Sequence, residues 1–305
     1  MIKKLINKLF YFLELIYLRL FFLAKEKIGV KNHSVSSKLN YYISAVKKFT
    51  SSDKSFQNFK RSLVYREVLE HVDYELALKY IQQIKKNYVD GINYNILERI
   101  SDNDRIGKPK KFKFEIEFLK NKKKIKEEVL LSGPTIRYWF VFCDINKNIK
   151  LNKEMNYIAE IGGGYGGQAL IFDRLIKFKK YYIFDLPSVN KFSEKYLNSY
   201  YLNNSFSSLD INENSGDIIY DLVISNYAFS ELPRELQEIY LNKIILKSKS
   251  GYMIMNTGND INDNKETSKY TASELLKIIN SSQIVEENPL SSKNNYIITW
   301  GDLKI

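Results

Sequence analysis

Residues 160–167 read Glu-Ile-Gly-Gly-Gly-Tyr-Gly-Gly, and no other stretch restricts the fold of this chain as much. An apolar run, Tyr157–Ile161, leads into it, and Gln168–Ile176 follows with helical spacing. Glycines at such a junction let the backbone turn sharply from strand to helix and let a ligand approach the chain closely. The alternation continues downstream. Tyr181–Phe184, Asp221–Ser225 and Gly251–Asn256 read as strands, and Val189–Leu202, Arg234–Leu246 and Thr271–Ile279 as helices, the last with Thr271 or Ser273 near its cap. Strands and helices in alternation predict an α/β fold, a Rossmann-like and mostly parallel sheet covered by helices. Gln283–Glu287 and Asn295–Trp300 are joined by only a short connection, so they are expected to close the sheet as an antiparallel C-terminal pair.

The front half reads differently. Residues 1–150 carry 31 Lys/Arg against 16 Asp/Glu, whereas residues 151–305 carry 16 against 19. That basic half faces an anionic partner or surface, or is simply well solvated. No nucleic-acid-binding signature accompanies the charge, so nucleic acid is not the expected partner. Residues 9–24, apolar except for Glu14 and Arg19, are flanked by Lys3, Lys4, Lys8, Lys25 and Lys27. A helix of that length covers about 24 Å, short of the hydrocarbon thickness of a bilayer. Residues 1–30 are therefore expected to form an apolar helix, lying in a membrane interface or docked on protein. The single cysteine, Cys143, rules out an intrachain disulfide and fits a reducing, cytoplasmic compartment. From 31 to 150 the pattern is mainly helical. Apolar residues recur at helical spacing over Ser62–Lys86, with Asp73 a cap for a helix from Tyr74. Phe112–Phe118 alternates as a strand, Gly133-Pro134 reads as a break, and Thr135 as the cap of a helix bearing Arg137 and Tyr138.

The glycine spacing fits two ligands. Gly162-x-Gly164-x-x-Gly167 matches the dinucleotide fingerprint, and Glu160-x-Gly162-x-Gly164-x-Gly166 matches that of S-adenosylmethionine-dependent methyltransferases. Three features favour the second. Glu160, just before the loop, suits the ammonium of an amino-acid moiety better than a pyrophosphate. Asp185 ends the next strand, 21 residues after Gly164, where a carboxylate accepts ribose hydroxyls, a placement NAD enzymes share. The closing antiparallel pair is typical of methyltransferase sheets.

The strings YIAEIGGGYGGQA, YYIFDLPSV, LVISNYAFSEL and GYMIMN, the terminal YIITWG, and upstream YREVLEHVDYE and SGPTIRYW resemble the sugar O-methyltransferases of bacterial surface-polysaccharide gene clusters, a class I family. The resemblance runs from about Phe59 to Trp300. It implies S-adenosyl-L-methionine as cofactor and a sugar acceptor in a capsule or lipopolysaccharide-type glycan, or its nucleotide- or lipid-linked precursor. Residues 1–30 lie outside the resemblance; the charge and apolar patterns divide the chain into an expected anchor over 1–30, a mainly helical acceptor-binding or lid region over 31–150 and a cofactor domain over 151–305. The expected cofactor residues are Glu160, Gly162, Gly164, Gly166, Gln168, Asp185 and Asn226. Arg137, Tyr138 and Tyr227 are expected at the acceptor, Arg137 as a clamp for phosphate. A sugar hydroxyl calls for a base, and His71 and Glu231 are the candidates, although Glu231 serves equally as a helix cap. Asp260 and Asp263 read as solvated turn residues, and no metal is expected. An NAD(P)-dependent sugar-modifying enzyme, a non-catalytic subunit of a glycan-assembly complex and an amine acceptor are the alternative readings. The sequence sets no oligomeric state.

Overall fold

The structure, a computed structural model, describes residues 34–68, 72–87, 92–120, 123–150, 154–213, 217–256 and 269–302. The chain divides into two compact units, Met1–Ala45 and Val46–Ile305. In the first, the described residues belong to the start of helix α1 (Ser34–Ser51). The apolar segment expected over 1–30 lies outside the described residues. No described helix is long and apolar enough to cross a membrane.

The second unit opens with the end of α1, followed by short helical turns and then α2 (Tyr74–Asn87). Asp73 caps α2 as expected, its Oδ1 accepting the Leu76 N–H at 2.8 Å. Ala77, Tyr80, Ile81 and Ile84 form its buried stripe at helical spacing. A small sheet follows. The short β1 (Ile92–Asn93) runs into α3 (Tyr94–Ser101), and β1 pairs parallel with β2 (Lys111–Lys120), which pairs antiparallel with β3 (Lys123–Ser132). The alternation over Phe112–Phe118 foretells β2. The lysine-rich β3 carries no comparable local signal, because its charges find their partners across the ladder: Glu128 with Lys113, Lys124 with Glu117 and Lys126 with Glu115. These pairs are exposed and weak. The apolar side of the hairpin, with Phe114, Ile116 and Leu131 buried, holds it down.

Helix α4 (Gly133–Asn148) corrects two expectations. Gly133-Pro134 is the first turn of the helix, where proline's missing N–H costs nothing, and the cap is Ser132, not Thr135. The Ser132 hydroxyl accepts the Thr135 N–H, while the Thr135 hydroxyl donates to buried Asp104 at 2.7 Å.

The large sheet is built from β4 (Glu154–Ile161), β5 (Lys177–Phe184), β6 (Ser205–Leu209), β7 (Leu222–Asn226), β8 (Gly251–Met255), β9 (Gln283–Glu286) and β10 (Tyr296–Trp300). Its order is β6-β5-β4-β7-β8-β10-β9. Every pairing is parallel except those of β10, which runs antiparallel to both β8 and β9. This is the Rossmann-like, mostly parallel sheet with the closing antiparallel pair that the strand–helix alternation predicts. Strand β6 was not foreseen. Its sequence, SFSSL, is half-exposed at the sheet edge, and lacks the apolar run that marks the inner strands.

Both faces are covered. On one, Ala159, Ile161, Val223, Met253 and Ile298 pack with Leu241 from helix Arg234–Lys243 and Leu275 from helix Ala272–Ile278. The alternate residues of the same strands face the other way, where the Tyr181 ring meets Phe172 of helix Gly167–Leu175 and the Tyr252 hydroxyl donates to Asp144 of α4 at 2.6 Å. Two-sided burial explains why these strands read as continuous apolar runs.

Candidate active site

The chain leaves β4 for β5 and β6 on one side and returns to β7 and β8 on the other, so the strand order reverses between β4 and β7. A crevice opens at the carboxyl ends of strands at such a point. The glycine loop occupies it. Gly162, Gly164 and Gly166 all have positive φ, at 75°, 55° and 88°. At Gly162 a side chain is excluded twice over, by that conformation and by space: an added Cβ would stand 2.1 Å from the Ala228 Cβ. The loop closes on itself and on its neighbour, with Gly166 N–H donating to Gly163 O and Gly162 N–H to Phe184 O, at 2.9 and 2.8 Å. Helix α5 (Gly167–Leu175) starts from it.

Asp185, just past β5, is the loop's second anchor. Its Oδ2 accepts the Gly164 N–H at 2.9 Å and its Oδ1 the Leu186 N–H at 2.7 Å. Burial pushes its pKa up to about 6, against the pull of these two donors. Each carboxylate oxygen keeps a lone pair for a hydroxyl of a ligand.

Glu160 is placed otherwise than its position in the motif suggests. It is 2 % exposed, and its Oε2 lies under the loop, 3.1 Å from where a Gly163 Cβ would stand. The Tyr181 hydroxyl donates to it at 3.0 Å. Burial raises its pKa to about 8, more than the Tyr181 bond lowers it, with the charge of Asp185 adding to the rise. Near neutral pH the group is mostly protonated, so it supports the loop from beneath and offers no full charge to an ammonium.

At the end of β7, Asn226 and the following Tyr227 face the loop from the other side. Tyr227 has φ 71°, a conformation a tyrosine adopts only when its surroundings compel it. Its N–H donates to Ile254 O at 2.9 Å, and its hydroxyl donates to Glu287 at 2.6 Å. The Arg137 guanidinium stacks on its ring at 4.9 Å. Asn226 donates to Gln168 Oε1 at 3.4 Å, and Gln168 donates in turn to the Tyr138 carbonyl at 3.0 Å. Gln168 is 1 % exposed and spends both ends of its amide on the protein. It braces α4, α5 and β7 and does not face a ligand as expected.

No protein-family model matches the chain. No curated protein matches it. Among solved structures it is similar to an S-adenosylmethionine-dependent methyltransferase from Clostridium acetobutylicum, at 13% identity over 54% of this chain and 90% of that one, TM-score 0.39. It is also similar to an O-methyltransferase family protein from Burkholderia thailandensis, at 13% identity over 48% of this chain and 51% of that one, TM-score 0.37. The magnesium protoporphyrin IX methyltransferase of Synechocystis, with bound SAM, gives 13% over 55% and 76%, TM-score 0.38. Likeness this remote assigns no activity to the chain, which rests on its own geometry.

Of the residues singled out from the sequence, Gly162, Gly164, Gly166, Asp185, Asn226, Tyr227, Arg137 and Tyr138 gather at the crevice. Glu231 stands at its edge, exposed at the end of the short turn Ala228–Glu231, and accepts from Asn256 Nδ2 at 2.9 Å. His71, Asp260 and Asp263 lie outside the described residues. Sequence reasoning missed three supports. Tyr181 beneath Glu160 sits in an ordinary apolar strand. Glu287, 2 % exposed, holds Tyr227 and the hydroxyl of Ser291 at 2.6 and 2.8 Å from a stretch that reads as a strand end. Tyr165 of the loop exchanges hydrogen bonds with buried Asn103, whose carbonyl also receives Lys60 Nζ. Only the polarity of Ser101–Asp104 hinted at this last cluster, and solvated turns have the same composition.

Proposed function

We propose that the chain is an S-adenosyl-L-methionine-dependent methyltransferase acting on an oxygen of a sugar, in a bacterial surface glycan or its nucleotide- or lipid-linked precursor. The observation that supports a nucleoside ligand is the Asp185–Gly164 bond at the strand-order reversal, and the antiparallel close of the sheet at β10 favours the S-adenosylmethionine reading over the dinucleotide one. The bond fixes one carboxylate at the mouth of a loop that only glycine can form, the arrangement a ribose diol beside a close-approaching ligand requires. The sugar half rests on the motifs of the resemblance.

When bound, the donor supplies a methyl group already activated on a sulfonium, for in-line displacement by an oxygen. Much of the acceleration then comes from placement. Gly162, Gly164 and Gly166 admit the ligand against the backbone, and Asp185 orients the ribose. Tyr227, held by Glu287 and stacked on Arg137, walls the acceptor side with Tyr138. His71 and Glu231 are the candidates for taking the hydroxyl proton. Residues 31–150 supply the acceptor-binding wall. Residues 1–30 place the protein on the inner face of the cytoplasmic membrane, and a Δ1–30 protein should shift from the membrane to the soluble fraction.

Calorimetric titration with S-adenosylhomocysteine and with NADH tests the cofactor. Binding of the first alone is expected, and binding of NADH alone would overturn the reading. Mass spectrometry of the surface glycan from cells with and without the gene tests the acceptor, through loss of one methyl from one sugar residue.

A further inference from the structure

Two enclosed polar atoms at the crevice have no hydrogen-bond partner, and they are opposite in kind. Arg137 Nε is a donor and Asn226 Oδ1 an acceptor. Both belong to a closed circle of contacts. Arg137 stacks on Tyr227; Tyr227 follows Asn226; Asn226 donates to Gln168; and Gln168 donates to the carbonyl of Tyr138, which follows Arg137. Arg137, Tyr138, Asn226 and Tyr227 are all partly exposed, so the circle reaches the surface, with the two unsatisfied atoms enclosed just inside it.

The chemistry of the two atoms narrows what enters. A guanidinium cannot shed its proton, and its fork matches a carboxylate. An enclosed N–H with no acceptor is costly, as is an enclosed amide oxygen with no donor. The nearby Glu287 is already engaged, receiving the Tyr227 hydroxyl and both the N–H and hydroxyl of Ser291. Glu160, the residue expected to meet an ammonium, is covered by the loop and held by Tyr181. A ligand group that carries both an anion and a hydrogen-bond donor matches the two unsatisfied atoms in kind.

We propose that this circle receives a zwitterionic amino-acid head, with Arg137 taking the carboxylate and Asn226 Oδ1 the ammonium. The proposal rests on the donor reading above and replaces Glu160 as the ammonium's contact. It makes Arg137 part of the donor site instead of an acceptor clamp.

The test compares S-adenosylhomocysteine with 5′-deoxy-5′-methylthioadenosine, which keeps the nucleoside and thioether but lacks the head. Both are titrated calorimetrically into the full-length parent protein and into Arg137→Met, Arg137→Lys and Asn226→Ala. Arg137→Met should weaken S-adenosylhomocysteine about 10- to 100-fold, the worth of a charge-assisted bond, and change methylthioadenosine less than about twofold. Arg137→Lys should fall between, and Asn226→Ala should lose about 5- to 10-fold on S-adenosylhomocysteine alone. Thermal unfolding confirms that each variant is folded, and the lysine and alanine variants carry the test if the methionine variant is not. Unchanged S-adenosylhomocysteine affinity in the folded variants, or equal loss on both ligands, overturns the proposal. If the parent binds neither nucleoside, the donor reading fails and the circle is judged separately, by thermal protection with millimolar L-methionine or inorganic phosphate. Protection by L-methionine that Arg137→Met abolishes sustains the receptor. Protection by phosphate alone, or by neither, overturns it.

Discussion

Substituting Glu160 by glutamine should stabilise the protein, and increasingly so as the pH rises. The side chain is 2 % exposed, with one hydroxyl donor at 3.0 Å, and its pKa in the fold is about 8 against 4.5 for a free glutamate. The folded protein therefore holds a proton that the unfolded chain releases. The stability this proton contributes is fully present below about pH 4.5 and is lost as the pH climbs through 8. The slope is about 1.4 kcal/mol per pH unit. Between pH 4.5 and 7 the group should thus cost the parent on the order of 3 kcal/mol. Glutamine keeps the shape and can still accept from Tyr181, yet never ionises. Urea unfolding of parent and Glu160→Gln at pH 5, 6, 7 and 8 isolates the effect, because Asp185 remains in both proteins. The difference should widen in favour of the variant at each step. A difference that stays constant with pH, or that favours the parent more at pH 8 than at pH 5, would refute the argument that this carboxyl is neutral beneath the loop.

The same proton should appear in binding: a cationic ligand in the crevice favours ionised Glu160, so S-adenosylmethionine should bind more tightly at pH 8 than at pH 6.5. Calorimetry in two buffers of different ionisation heat should register proton release, smaller in Glu160→Gln, where only Asp185 remains to supply it. Asp185→Ala removes the Gly164 anchor and the ribose acceptor together, and should weaken S-adenosylhomocysteine by at least about tenfold. Gly162→Ala forces a side chain into a left-handed turn and against Ala228, for a loss of about 2–4 kcal/mol in urea unfolding. Adding Ala228→Gly should restore the part due to crowding and leave the part due to φ. Far from the crevice, Arg174→Met deprives buried Asp173 of its cation and should cost about 3 kcal/mol with no change in ligand affinity, since Asp173 also ties down the backbone of Asn203 and Asn204.

Some of this protein was decided by local sequence. The glycine loop, the inner strands β4, β7 and β8, the Thr271 cap and the antiparallel close are legible because each rests on a local constraint: positive φ at glycine, a run of apolar residues buried on both faces, a hydroxyl three residues before a glutamate, a connection too short for a crossover. The same holds for Asp185, whose place at a strand end follows from where the apolar run stops. Other features exist only once distant segments meet. The lysines of β3 find their partners on β2, and the hydroxyls of Ser132 and Thr135 both donate to Asp104 of a distant segment. Whether Glu160 faces a ligand or hides under Gly163 depends on Tyr181 from the neighbouring strand. The open donor on Arg137 and the open acceptor on Asn226 likewise come from elements about 90 residues apart, and no window of sequence contains both. Backbone geometry and periodic burial are written residue by residue, whereas charge state and hydrogen-bond satisfaction are set by what packs around a group.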